Sequence, residues 1–533
     1  MLFGYYNTGL SDRTNGRKTV FMTIKQASLG VLAAVLFMLG MFQTVDPDLW
    51  WHLKTGQVIL SQGLPRVDIF SFTMAGTPWT THEWLSEVIM WWLYAHAGGL
   101  PALSIVFALI AVLTFGLVYF TCAGRPALAL PLTLLAFWTT RFLWGARPQI
   151  FNILMLALVL WLMEQVRQKK FSLKALYVLP VLILLWANLH SGYLMGLAVL
   201  GVYLAGDLLQ IFLWKSEEGT FGRTGLKCLG IIFPLCILAS LVNPSGYRLW
   251  LYPFETLGSQ MMQRFILEWK APDFHFWNYK PFMISMGLGA VAFMASSRRR
   301  NIAEMIFYGG AMAAGLISRR HIPFFAVVAF PILSRAFLDC FQTEKARAFW
   351  SGSAFSSKLA PGFRIFNLFL VAVCLFFAAF VAQKVLAGND EKIREKYPVA
   401  AIKFLKEKGF SVRHGFNEYV WGGYMLWSDL PVFMDGRVDM YGDRFFRDYL
   451  LIRDLKEGVG AISSVFQQFD VTYALIPPQS AFASFLRSNK QQWNEIYRDG
   501  TASLFLALPA GSPESASPRL SLYGQMSQGG SVS

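Results

Sequence analysis

The chain has 533 residues, of which 55% are hydrophobic and only 15% charged. The apolar residues come in long blocks from about residue 27 to about residue 385, each near the ~20 residues a helix needs to cross a bilayer core, and that pattern excludes an ordinary soluble globule. The net charge of +15 does not indicate nucleic acid as a partner, because the basic residues cluster in short loops between apolar blocks, where membrane topology places them.

The expected spans are 27–45, 101–121, 127–143, 149–164, 175–188, 192–213, 228–242, 281–296, 302–317, 322–338 and 365–385. The first lacks a small-residue cleavage site before Asp46-Pro47-Asp48, so it reads as a retained span and not a cleaved signal. Arg13, Arg17, Lys18 and Lys25 precede it and hold residues 1–26 on the cytoplasmic side; Met22 is an alternative start. Later inner loops carry Arg125, then Arg167 to Lys174, then Lys215, Arg223 and Lys227, then Arg298 to Arg300, then Lys345, Arg347, Lys358 and Arg364. About eleven spans from an inner N-terminus leave the C-terminal region outside. The expected fold is thus an α-helical polytopic membrane protein with its N-terminus on the cytoplasmic side. Its spanning region covers residues 27–388 and has long outer loops at 46–100 and 243–280.

Three aromatic-rich stretches in those loops, Leu49 to Leu60, Glu83 to Tyr94 and Pro253 to Trp269, have the amphipathic pattern of helices lying on a membrane surface. After Gly388 the composition becomes mixed. Helical patterns (Tyr397 to Lys408, Arg444 to Lys456) alternate with short apolar runs (Pro431 to Met434, Thr472 to Ile476, Ala502 to Ala507), which predicts a small α/β domain over 389–510. Residues 511–533 are rich in Ser, Gly and Pro and read as a disordered tail. The five cysteines all lie in or beside spans, without metal-ligand spacing, so no disulfide or thiol chemistry is expected.

Candidate chemistry concentrates on the outer side. Asp46 and Asp48 follow the first span directly, and two carboxylates at a membrane boundary are costly unless paired, hydrated or bound to a cation. With Leu49 starting a helix, Asp48 is placed to cap it, on one face with His52. His82 and Glu83 add a second imidazole and carboxylate in the same loop. Basic groups form a second set: Arg147 in an outer turn, Asn188 and His190 in another, and Arg319, Arg320 and His321 in a third. Arginines that run against the positive-inside bias suit a phosphate at the interface, and they also suit snorkelling to headgroups. In the C-terminal domain Asn417, Glu418, Asp435 and Arg437 form a polar cluster; with Asp435 at a strand end the cluster suits acceptor binding, although Asp435-Gly436 also makes an ordinary turn.

The runs Asp46 to Gly56, Pro65 to Thr73, His82-Glu83-Trp84-Leu85, Arg147-Pro148-Gln149, Trp186-Ala187-Asn188-Leu189-His190, Trp421-Gly422-Gly423-Tyr424 and Asp435-Gly436-Arg437 together resemble a bacterial membrane-protein family related to GT-C glycosyltransferases. That class includes oligosaccharyltransferases, protein O-mannosyltransferases and aminoarabinose transferases of lipid A. The resemblance implies a GT-C spanning domain with acidic residues in the first outer loop, a polyprenyl-phosphate-linked sugar donor, and a glycan, lipid or protein acceptor. Asp46-Pro47-Asp48 sits where that acidic motif would be; because glycosyl transfer needs a base, and positive charge on the leaving phosphate, Asp46, Asp48 and Glu83 are the expected catalytic groups. Lipid-phosphate binding would fall to His52, His82, Arg147, Asn188, His190, Arg319, Arg320 and His321. A divalent cation such as Mg or Mn would sit on Asp46 and Asp48. A non-catalytic scaffold or transporter in cell-envelope assembly is the competing expectation.

Overall fold

The structure is a computed structural model that describes residues 22–296, 300–341, 343–350, 361–410, 413–456 and 459–508. The tail 511–533, most of the N-terminal segment, and Arg298, Arg299 and Lys358 lie outside the described residues. A helix occupies every expected span position: Ile24–Gly40, Leu100–Thr121, Ala129–Thr140, Gln149–Arg167, Leu179–Leu189, Tyr193–Trp214, Gly222–Ser240, Lys280–Ala295, Ile302–Ile317, Ile322–Cys340 and Pro361–Ala387. Six of the described helices are long and apolar enough to cross a membrane. The chain is a multi-pass membrane protein. Its first helix packs along both Pro361–Ala387 and Leu100–Thr121, so the two ends of the spanning region close on each other.

The first outer loop folds into two helices, Leu49–Gln62 and Trp84–His96, packed side by side. Gly56 makes this possible: a Cβ there would strike the backbone of Glu87 and the Trp91 side chain. Both helices lie where the amphipathic pattern predicts them. The expectation that each turns an aromatic face to lipid fails for the first, because the C-terminal domain supplies a better partner. Trp50 is buried edge-on against Tyr397 (5.6 Å) and Tyr424 (5.0 Å). The second outer loop forms Arg248–Gly258 and Gln260–Phe265, and it leaves Leu251, Phe254, Leu257 and Phe265 outward. That exposed apolar face is the one a membrane surface would cover.

All four strands among the described residues lie in the C-terminal domain: β1 Gly415–Asn417, β2 Tyr473–Ile476, β3 Trp493–Arg498 and β4 Ser503–Ala507. The order is β1-β2-β4-β3; β1 and β2 are parallel, and the other two pairings are antiparallel. β2 and β4 match predicted apolar runs, whereas Pro431 to Met434 forms no strand and makes a single bridge, Ser71 to Val432, with the first outer loop. The helices Val399–Glu407 and Val438–Arg453 cover the predicted helical patterns. The domain is fastened to the start of the first loop. Asn389 accepts from the Thr44 amide (3.1 Å), Tyr397 donates to the Val45 carbonyl (2.8 Å), and Lys54 pairs with Asp429 (2.5 Å).

Candidate active site

Pro148 stands immediately before the helix Gln149–Arg167, and its fixed φ suits a helix start. Arg147 is therefore held two residues before the helix, with its guanidinium free to reach the first loop. It bonds Asp48, lies 3.4 Å from Asp46 through Nε, and pairs with Glu268 of the second outer loop at 2.5 Å. Three carboxylates thus share one guanidinium, and each of the four side chains stays about one-fifth to one-quarter exposed. The turn is tied locally, since the Asp48 amide donates to Asp46 (2.9 Å) and the Trp51 indole to Asp48 (3.2 Å). The expected capping role of Asp48 is not found. It occupies the cap position of Leu49–Gln62, but its side chain accepts no bond from that helix's first-turn amides because Arg147 and Trp51 claim it. Glu268 carried no signal in the sequence; a lone acid in a long loop gives none.

These groups titrate unequally. Burial pushes the Asp48 carboxyl up, Arg147 pulls it back, and Asp46 and Glu268 push it further, leaving it at about 6. Burial also raises Glu268, but Arg147 and Arg320 together overcome it and hold that carboxyl below its ordinary value. Asp48 is thus a carboxyl that can change protonation near neutral pH.

A second cluster lies beside the first. Glu83 precedes the helix Trp84–His96, with its Oε1 3.0 Å from His190 Nε2 and 3.5 Å from His82 Nε2. His52 Nδ1 is 3.1 Å from Glu87 and 3.7 Å from Glu83. The two sequence motifs brace each other here. The Trp84 indole donates to Asn188 (3.0 Å), and Ser86 donates to the Leu189 carbonyl (2.7 Å). Burial would raise Glu83, but His82 and His190 overcome it and keep that carboxyl well below its usual range. Glu87 goes the opposite way, raised well above its usual value by burial and then by Glu83. Burial drives the His52 imidazole down to about 3, so it is neutral at physiological pH. His82, stacked on Tyr252 at 4.1 Å, is raised: burial opposes this and Glu83 prevails.

The remaining expected site residues divide. Asn188 braces neighbouring segments: its oxygen accepts from Trp84, and its amide nitrogen donates to the carbonyls of Leu184 and Val242. Arg319 is buried, donates to the Ala271 carbonyl (3.2 Å) and lies over the Tyr279 ring, so it fastens the second outer loop and does not reach the acidic centre. Arg320 stacks on Trp269 beside Glu268, where its charge also bears on His190 and His321.

The expected acceptor set is mostly sealed. Arg437 is 1% exposed; it bonds Asp435 at 2.6 Å and Asp68 of the first loop at 2.7 Å, with Phe70 and Trp79 against its guanidinium. Asp435 and Asn417 are equally buried, and Asn417 bonds the Phe433 amide and the Met434 carbonyl. An acceptor could not touch these three groups without the domain coming off the loop. Glu418 stays partly exposed near Arg453 (3.8 Å).

A donor set for a cation exists at His52, Glu83 and Glu87, whose ligand atoms all lie within 4.8 Å of one another. Glu87 Oε2 is buried there without a hydrogen-bond partner, which is the orphan a cation would satisfy. Asp46 and Asp48 fit less well, because the Arg147 guanidinium already takes the position of a counter-ion.

No family model matches the sequence, and no curated protein does. Solved structures do match. The chain aligns with the Archaeoglobus fulgidus oligosaccharyltransferase tethered with an acceptor peptide at TM-score 0.51 and 12% identity, over 91% of this chain and 74% of that one. The same organism's oligosaccharyltransferase AglB, in complex with an inhibitory peptide and a dolichol-phosphate, aligns at TM-score 0.52 with the same identity and coverage. At such identity the likeness is one of fold, and the fold is that of GT-C glycosyltransferases.

Proposed function

We propose that this chain, built on the GT-C fold, is a glycosyltransferase that moves a sugar from a polyprenyl-phosphate-linked donor to an acceptor at the outer face of the cytoplasmic membrane. The observation that carries the reading is the Asp46–Asp48–Glu268 triad gathered on Arg147, open to solvent where the first and second outer loops meet. Its support from outside is the oligosaccharyltransferase of the same fold that was captured with dolichol-phosphate and peptide.

In the reaction the bond between the sugar's anomeric carbon and the lipid phosphate oxygen breaks, and a bond to the acceptor's nucleophilic atom forms. The acceptor proton passes to Asp48, whose carboxylate is the base, and the polyprenyl phosphate leaves with the bonding electrons. Positive charge must meet that phosphate. Arg147 can turn toward it as Asp48 takes up its proton and loosens its hold on the guanidinium, and Arg320 stands on the neighbouring loop. A divalent cation, held by His52, Glu83 and Glu87, would add positive charge to the same face. Neutral His52 is already in the ligand form, and Glu83 is already ionised.

The test uses purified full-length protein in proteoliposomes with radiolabelled polyprenyl-phosphate hexose and a cell-envelope extract as acceptor. Label moving from the lipid to the acceptor fraction, with free polyprenyl phosphate released in equal amount, is expected. Bound donor that is never turned over, under any acceptor, would leave the scaffold reading in its place.

A further inference from the structure

At the end of the bundle opposite the acidic loop, a cavity of about 990 Å³ opens among the helix ends at Lys25, Tyr119 to Arg125, Glu164 to Lys170, Gln210 to Gly219 and Arg335 to Asp339. Seven basic side chains line it against four acidic ones. Three of the acids are held by arginines of the cavity itself. Arg167 bonds Glu164 (2.9 Å) and Glu304 (2.8 Å), Arg335 bonds Glu304 (2.9 Å), and Arg300 bonds Asp339. Tyr203 donates to Glu164 (2.7 Å), which locks the cluster in place. Lys25, Arg125, Lys170 and Arg347 have no carboxylate partner among the described residues and leave the cavity strongly positive.

A second observation points to a ligand. The Arg167 side chain is only 6% exposed, lines this cavity, and its Nη1 is buried without a hydrogen-bond partner. The Nε atoms of Arg335 and Arg300 are likewise unpartnered. Unmade bonds on buried guanidinium groups are costly, because the charged donor has lost water and gained no acceptor. Three such groups facing one positive cavity are the donor pattern for a polyoxygenated anion. Burial and then Arg125 hold the Lys170 ammonium below its usual value, as expected where cations crowd without their anion. Leu29, Phe120, Trp214 and Leu338 line the cavity next to these charges, giving an apolar and aromatic border of the kind that an acyl-linked headgroup meets.

We propose that this cavity is a phosphate-binding site, distinct from the acidic centre, and that it takes the headgroup phosphate of an anionic lipid. The apolar border favours a lipid over a free phosphate ester, and the donor chemistry serves both. The site lies at the ends of the helices that form the core of the bundle, and its occupant would brace Gln149–Arg167 against Ile302–Ile317 and Ile322–Cys340 through Arg167 and Arg335.

The test uses full-length protein in phosphatidylcholine nanodiscs, with or without phosphatidylglycerol, read by native mass spectrometry and thermal unfolding. Retained phosphatidylglycerol and a higher Tm are expected for the wild type. Arg125→Gln with Lys170→Gln should weaken retention at least tenfold while folding normally, because neither residue holds a carboxylate. Lys215→Gln with Arg223→Gln removes the same charge from the same end but outside the cavity, and it should leave retention unchanged. Inorganic phosphate and glycerol 3-phosphate form the soluble arm. Stabilisation by these, lost in the Arg125/Lys170 variant, would support the site and assign it a free phosphate ester instead of a lipid. Equal retention in both double variants and the wild type, with no effect of soluble phosphate, would overturn the proposal.

Discussion

Two arginines in this molecule each hold carboxylates from different segments, and they behave differently. Arg437 joins Asp435 of the C-terminal domain to Asp68 of the first loop, with all three side chains at 1% exposure or less. Arg147 joins Asp46, Asp48 and Glu268, with every partner about one-fifth to one-quarter exposed. The charge balance also differs. Arg437 meets two carboxylates, with Tyr441 donating to one of them (3.0 Å), so the cluster is satisfied and shut. Arg147 meets three, and one of them is left with a raised pKa and an open side. The first is a strut and the second has surplus negative charge within reach of a ligand. A sealed ion pair specifies geometry, while an accessible, over-subscribed one can exchange partners.

The comparison breaks most sharply at Asp48. Asp48→Asn keeps the shape and removes the base, so transfer should fall by about 10²–10⁴-fold with folding intact. Because Asp48 makes no side-chain cap, no loss of the helix Leu49–Gln62 is expected. Wild-type turnover in this variant, measured as labelled acceptor per minute, would mean that the open centre is only structural.

Arg437→Met tests the other half. It strands two buried carboxylates and should destabilise the C-terminal domain by about 3–5 kcal/mol. Thermal unfolding in detergent reads this, and loss of turnover should follow loss of the fold and not precede it. An unchanged Tm would show that Arg437 is not the strut described.

Gly436 links the two regions, because a Cβ there would press on the Asp48 carboxylate and the Trp51 indole. Gly436→Ala should displace Asp48 and reduce kcat by up to about 10²-fold, the scale that a misplacement near 1 Å causes. The Tm should change little. A variant with full kcat would separate the domain from the chemistry.

The smallest effect is in pH. Asp48 must be ionised to act as base, and its carboxyl is raised to about 6. Activity should therefore fall as pH drops through 6, by about tenfold per unit below it. The same upward shift makes the ionised form the less favoured one in the folded chain, so this group's contribution to stability should decline as pH rises from 3.8, its ordinary value, to about 6, while activity climbs. The two trends have opposite signs, and parallel trends in the pH profiles of rate and Tm would contradict the assignment to Asp48.

The sequence by itself determined the spanning region. Long apolar blocks admit only helices in lipid, so the helices stand where hydropathy places them. It also showed Asp46, Asp48 and Arg147 as candidates, because charge at a membrane boundary is expensive enough to be conspicuous. Only the tertiary structure decided their roles. Glu268 joined the centre across more than a hundred residues, and Glu87 joined the histidines, because helix packing brought them there. Asn188, Arg319, Asp435 and Arg437 resembled ligands in one dimension, and in three dimensions their polar groups are taken up by other parts of the chain, since burial and partner count are not written in residue type. Asp435-Gly436-Arg437 and Trp421-Gly422-Gly423-Tyr424 read locally as polar or aromatic patches. In three dimensions their glycines are contact points, where Gly436 meets Asp48 and Gly423 meets the Pro47 backbone. Hydropathy is a local property summed along the chain, so sequence can carry it. Which charge faces which is settled by long-range packing, and no local pattern encodes that.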